Sequence, residues 1–217
     1  MKQHIINIGR QFGSGGRQIG EALAKKMNFS FYDKELIHLA SKESGLGKEF
    51  FEKFDEKSRF GLLGGFLGFR TGINADEFVN SHLNHESLFR IQSNVIRELA
   101  EQQSCVFVGR CADYILREYP LCINVFITAD LDDRIERVAK RQNIHKDKIP
   151  DLLEKTDKRR AEYYNFYTNK TWGNAKSYHI CINSSVLGID ETVEAIIRFA
   201  KHRFGTLATP ASSHLDV

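Results

Sequence analysis

No apolar run in this 217-residue chain approaches the roughly 20 residues needed to span a bilayer, so a helical membrane protein is not expected. The opening M-K-Q-H-I-I-N-I-G turns polar before the apolar core of a signal peptide can form, which points to the cytoplasm. The four cysteines (Cys105, Cys111, Cys122, Cys181) show no C-x-x-C spacing, so no structural zinc is expected, and small buried thiols in a reducing compartment are the simplest account. A strong charge excess is also lacking. At +3 the formal charge is too small for a general nucleic-acid binder, while 41% hydrophobic and 27% charged residues are ordinary for a globular chain. This length suits one α/β domain with inserts rather than two ordinary domains.

The most informative stretch is Ile5 to Gly20, I-I-N-I-G-R-Q-F-G-S-G-G-R-Q-I-G. An apolar strand stops at Gly9, three glycines (Gly13, Gly15, Gly16) allow tight curvature, and helix formers resume from Gln18 to Met27. Backbone N–H groups at such a junction converge, and the positive end of the helix favours an anion. Arg10, Gly13, Ser14, Gly15, Gly16, Arg17 and Gln18 are therefore the candidate phosphate cradle. A strict G-x-x-x-x-G-K-[ST] motif is absent, because Arg10 stands at the first glycine, Gly16 at the lysine and Arg17 at the hydroxyl. A dinucleotide fingerprint is the alternative, with Asp33 as its acid, but Gln18 replaces its third glycine.

Phe29 to Tyr32 reads as a second strand, making the opening a parallel β-loop-α-β unit with Asp33 at a carboxyl strand end, where ligands bind in open parallel sheets. A helix-capping role for Asp33 is equally open. Residues 34–103 carry only helical pattern, including the amphipathic run Glu77 to Glu101, with an apolar glycine-rich stretch at 61–72. His82 and His85 read as surface helix residues rather than a metal pair. Cys105 to Val108 is a buried strand, and Arg110 leaves its end suited to grip an anion, with a salt bridge to Asp113 as the alternative use. Ile123 to Thr128 is a strand followed by a helix on which Arg134, Arg137 and Arg141 form a stripe. The charge-dense excursion 142–176, with Arg159 and Arg160, has the character of a lid closing over phosphates. A last strand at Tyr178 to Ile182 and a helix at 190–204 precede a tail, 205–217, expected to be disordered.

These segments together resemble the cytidylate-kinase-like family of P-loop kinases. The resemblance rests on G-R-Q-F-G-S-G-G-R, F-Y-D-K-E, V-G-R, I-T-A-D-L-D-D-R-I-E-R-V, D-K-R-R-A-E-Y-Y and I-N-S-S-V-L-G-I-D-E-T-V, in that order. It implies a three-layer α/β P-loop kinase fold with a five-stranded parallel sheet. Its core would span 1–33, 104–141 and 177–204, with a helical acceptor-binding insert at 34–103 and a lid at 142–176. By position it assigns Asp33 and Arg110 to the acceptor, with Asp113 beside them, and brings Asp157 and Arg160 of the lid to the phosphoryl groups. Two departures stand out: Gly16 replaces the loop lysine, and Val108 replaces the acid that reads cytosine in that family.

Phosphoryl transfer needs positioning and charge neutralisation, which Arg10 and Arg17 from the cradle side, replacing the lost lysine's charge, and Arg137, Arg141 and Arg160 from the lid can supply. The lid arginines are expected to be solvated and far from the cradle when it is empty, held apart by mutual repulsion. Magnesium would be held by nucleotide, waters and Ser14 rather than by a dedicated protein site, since a guanidinium has no lone pair to offer. The expected activity is ATP-dependent transfer to a nucleoside monophosphate or another small acceptor, with small-molecule nucleotide partners, no nucleic acid and no membrane. A homodimer is left open. A non-catalytic nucleotide or polyphosphate sensor and a dinucleotide-binding protein are the alternatives.

Overall fold

The computed structural model describes residues 3–43, 75–143 and 145–208. The glycine-rich stretch 61–72, the side chains of His82 and His85, and residues 209–217 lie outside the described residues. The described elements run β1 (Ile5–Arg10), α1 (Gly16–Met27), β2 (Ser30–Tyr32), α2 (Lys34–Glu43), α3 (Ala75–Gln102), β3 (Cys105–Val108), α4 (Ala112–Ile115), β4 (Cys122–Thr128), α5 (Leu131–Gln142), α6 (Ile149–Thr168), β5 (Ile180–Asn183) and α7 (Ser184–Ala208). The chain divides into two compact units, residues 1–34 with 99–217, and residues 35–98. Within the second unit, Ile37 and Ile96 are fully buried and Ser41 returns its hydroxyl to the Ile37 carbonyl at 2.7 Å.

The first unit is built on a five-stranded parallel sheet in the order β2-β3-β1-β4-β5. Period-two alternation divides β1 between the faces. Ile6 and Ile8 join Val106, Val108, Ile123, Val125 and Ile127 in one core, which α1 covers with Ile19 and Leu23 and α7 covers with Val193, Ile196 and Phe204. Gly20 lets α1 lie close, since a Cβ there would come within 2.7 Å of Val108. This places β1 between β3 and β4, so the turn after Arg10 emerges at the carboxyl ends of the central strands, where ligands bind in such folds.

Strand ends fall within two residues of the sequence expectation, β5 at Ile180–Asn183 rather than Tyr178 to Ile182, and two helices begin earlier than expected. Helix α1 begins at Gly16 rather than Gln18, because Gly15 in the left-handed region (φ 78°) turns the chain directly into the helix. The closing helix begins at Ser184, breaks at Gly188 (φ 71°, ψ 176°) and runs to Ala208, so the first residues of the expected tail are helical, anchored by buried Ala200 and Phe204. Cys105, Cys111 and Cys122 are buried free thiols, whereas Cys181 is exposed on the edge strand. No helix among the described residues is long and apolar enough to cross a membrane.

Candidate functional site

The glycine turn is fixed from below and from one side. Gly13 (φ 82°) packs on the first turn of α5, where an added Cβ would meet the Arg134 carbonyl at 2.8 Å. Ser14 is fully buried; its hydroxyl donates to the Gln11 carbonyl at 2.9 Å, and its own carbonyl accepts from Ser184 Oγ at 2.7 Å. That Ser184 oxygen in turn accepts from Arg137 Nη1 at 2.9 Å. At Gly15, α1 starts without a side-chain cap or an acidic residue in its first turn, which leaves its positive end uncompensated by carboxylate. Ile189 packs against Gly15, and Arg137 Nη1 lies 3.8 Å from where a Cβ would stand there.

Helix α6 supplies the other wall. The Phe12 N–H donates to Asp157 Oδ1 at 2.7 Å, the Phe12 carbonyl accepts from Arg134 Nε at 2.7 Å, and Arg134 Nη2 closes the ring on Asp157 Oδ2. The Phe12 ring packs with Val138, Ile149 and Leu153 between α5 and α6, and Arg141 and Arg160 lie over it at 5.2 and 5.3 Å. Arg160 also donates to the Arg10 carbonyl at 3.1 Å. Burial lowers the Arg160 pKa, Asp157 offsets this, and Arg141 and Arg134 add to the lowering.

For Arg137 and Arg160, which are half-buried beside the turn, this arrangement corrects the expectation that the lid arginines stand solvated and far from an empty cradle, whereas Arg141 remains exposed. Mutual repulsion was expected to hold the lid open, but Asp157, the Phe12 ring and the Arg10 carbonyl each give the cations a partner. Asp157 is likewise not a group reaching for phosphate: both its oxygens hold the loop and Arg134. Arg134 was visible only as one member of a stripe, and nothing in the sequence separated it from its exposed neighbours.

At the start of α1, Arg17 turns to Asp33, its Nε donating to Oδ2 at 2.7 Å, while Nη1 meets Glu21 at 3.2 Å. The cradle face of Arg17 is thus secondary to a carboxylate partner. Gln18 follows within α1. Arg110 sits in the left-handed region (φ 59°) between Gly109 (φ 84°) and Cys111 (φ 56°), with its guanidinium 5.3 Å from the Tyr163 ring. Successive left-handed non-glycine residues are costly and are held where surrounding structure demands them. Asp113 does not face an acceptor or pair with Arg110: it is buried, and its carboxylate accepts the Tyr164 hydroxyl at 2.7 Å. Burial raises the Asp113 pKa, with the Tyr164 hydrogen bond opposing.

Among the described residues no group of three His, Cys, Asp or Glu converges, and the Ser14 hydroxyl, expected as a ligand, is turned beneath the loop.

A five-stranded parallel sheet with a glycine turn between its central strands and helices on both faces has the three-layer architecture of the P-loop kinase fold. Within that class the chain belongs to the cytidylate kinase-like family, whose model matches residues 5–186. A crystal structure of an uncharacterized protein from Eubacterium ventriosum ATCC 27560 is similar at 29% identity and TM-score 0.69, covering 92% of this chain and 99% of that one. Shikimate kinase from Bacteroides thetaiotaomicron shares the fold at 16% identity and TM-score 0.50, with 92% and 97% covered. TT1252 from Thermus thermophilus does so at 15% and 0.52, with 92% and 98% covered. No curated protein matches the chain in sequence.

Proposed function

We propose that the protein transfers the terminal phosphoryl group of ATP to a small acceptor, a nucleoside monophosphate or a hydroxylated small molecule. The observation that carries this reading is the cradle itself: an uncapped helix start at Gly15 and Gly16, with Arg137, Arg141 and Arg160 already gathered along its rim. In this reading the N–H groups of the turn hold the donor phosphates. Arg137 and Arg160 neutralise charge on the moving group, and Arg110 with Asp33 positions the acceptor. ATP would enter with its magnesium carried by the nucleotide and waters. The fully buried Val108 offers no acid for reading cytosine, which favours an acceptor other than a cytidine nucleotide. The three buried free thiols accord with a reducing compartment, and we place the reaction in the cytoplasm.

The test is ADP release from ATP and magnesium across a panel of nucleoside monophosphates and small hydroxy acids. Turnover that depends on one acceptor supports the kinase. ATP binding by calorimetry without turnover on any acceptor supports a sensor, the reading motivated by Gly16 at the lysine position. Tighter binding of NAD than of ATP would support a dinucleotide-binding protein.

A further inference from the structure

The cradle lacks a lysine at position 16, yet the space beside Gly16 is filled. A Cβ built on Gly16 would lie 2.5 Å from Arg10 Cβ and 2.9 Å from its Cγ, closer than side-chain carbons approach. Farther along, the Arg10 guanidinium lies directly against Gly109, at the left-handed turn ending β3, where a Cβ would collide with Nη1. Two glycines thus form the floor of a slot in which the Arg10 stem crosses the start of α1 and its charge arrives beside the carboxyl end of β3. The Arg10 backbone is fixed as well, because its carbonyl accepts from Arg160.

Positions 10 and 16 are those that a strict P-loop fills with glycine and lysine. Here the small and the cationic residue are exchanged, and the contacts forbid a side chain at both places together. We propose that Arg10 is the phosphate-contacting cation of this cradle, taking the part of the P-loop lysine from the strand side, and that Gly16 is required to make room for it. The inference rests on the kinase reading above and assigns the residue in that site which senses the donor's outer phosphates. A guanidinium in this slot offers a planar fork of donors to β- and γ-phosphate oxygens, in place of the single ammonium of a lysine.

The experiment measures ATP and AMP binding by calorimetry to the full chain and its variants, with melting temperature as the check on folding. Arg10→Met keeps a stem over Gly16 and removes the charge. It is expected to weaken ATP at least about tenfold with AMP unchanged, since a lost charge-assisted contact reads out on the outer phosphates. Gly16→Lys alone is expected to weaken ATP too, because the new side chain meets Arg10. The double variant Arg10→Gly, Gly16→Lys restores the strict pattern and is expected to return ATP affinity to within about threefold of wild type, a coupling that only neighbouring residues show. An ATP-to-AMP preference unchanged in Arg10→Met, or a double variant no tighter than either single, overturns the role of Arg10, while acceptor-dependent ADP release by wild type keeps the kinase reading. Wild type that binds neither ATP nor inorganic tripolyphosphate removes both. Should the lysine variants fail to fold, Arg10→Met decides alone.

Discussion

Two arginine–aspartate pairs flank the same glycine turn, and they differ in the water each partner keeps. Arg134 and Asp157 retain 10% and 15% of their side-chain exposure, while Arg17 and Asp33 retain 56% and 3%. The first pair is closed on both sides and also binds the Phe12 backbone through N–H and carbonyl, so it works as a fastener between the turn and α6. The second is half open: Asp33 is enclosed, but Arg17 is reached by solvent and shared with Glu21. A ligand can reach Arg17 from solvent without opening the loop, whereas nothing takes Arg134 without releasing it. The same two residue types thus hold one side of the turn rigid and leave the other adjustable.

The largest effect is expected from Asp157→Ala, which orphans the Phe12 N–H and leaves the nearly enclosed Arg134 uncompensated. Calorimetric unfolding should show a loss of about 3 kcal/mol, as for other broken low-exposure pairs. Arg134→Met should cost clearly less, because Asp157 keeps the Phe12 N–H and Arg160 stands 3.7 Å away. Equal losses in the two variants would mean that Asp157 is not the centre of the fastener.

Next in size is Arg160→Ala, which removes a rim cation without touching the Asp157–Phe12 hydrogen bond. If the guanidinium acts chiefly on the transition state, kcat should fall by about 10- to 100-fold, with the KM for ATP changing much less. Equal kcat in wild type and variant, with the acceptor that turns over, would take Arg160 out of the mechanism and leave it a structural role against the Arg10 carbonyl, the Phe12 ring and Asp157.

Arg17→Ala addresses the open pair. Loss of the partner of an enclosed carboxylate should cost about 1 to 2 kcal/mol of stability, moderated because water already reaches that side. The acceptor KM should rise while ATP affinity stays near wild type, opposite to what a cradle cation would show. A large loss of ATP affinity would return Arg17 to the donor phosphates.

The contrast between the two pairs also marks what the sequence could reveal. The strand, turn and helix of the cradle were legible because glycines and apolar alternation act locally, and the four later segments were legible as strands or helices for the same reason. The placement of Asp33 at a carboxyl strand end was legible because it follows β2 directly. The fastener was not, since 145 residues separate Phe12 from Asp157 and a backbone N–H carries no side-chain signature. Nor was the closed position of α6, because charge alone suggested repulsion between arginines. Their partners, an aromatic ring and two main-chain carbonyls, become apparent only when the chain is folded. Asp113 followed the same pattern: next to Arg110 in sequence it suggested an acceptor residue, but the turn through Arg110 and Cys111 swings it inward to Tyr164.

That buried aspartate gives the smallest effect, which concerns pH. Burial raises its pKa above 3.8, while the Tyr164 hydroxyl, the charge of Lys170 and the N–H groups of its own turn oppose the rise without cancelling it. Tyr178, Cys111 and Cys122 also face it and feel its charge. Because the folded state holds this proton more tightly than the unfolded chain, the group's stabilising contribution is complete below the ordinary aspartate range. It is lost as pH rises through the raised folded pKa. Asp113→Asn keeps an oxygen to accept the Tyr164 hydroxyl and has no charge to desolvate. Its melting temperature should therefore exceed that of wild type at neutral pH, and the difference should shrink as pH falls toward the aspartate range. A difference that stays constant, or grows on acidification, would mean that the ionised Asp113 is the better partner for Tyr164, and that this anchor of α6 depends on its charge.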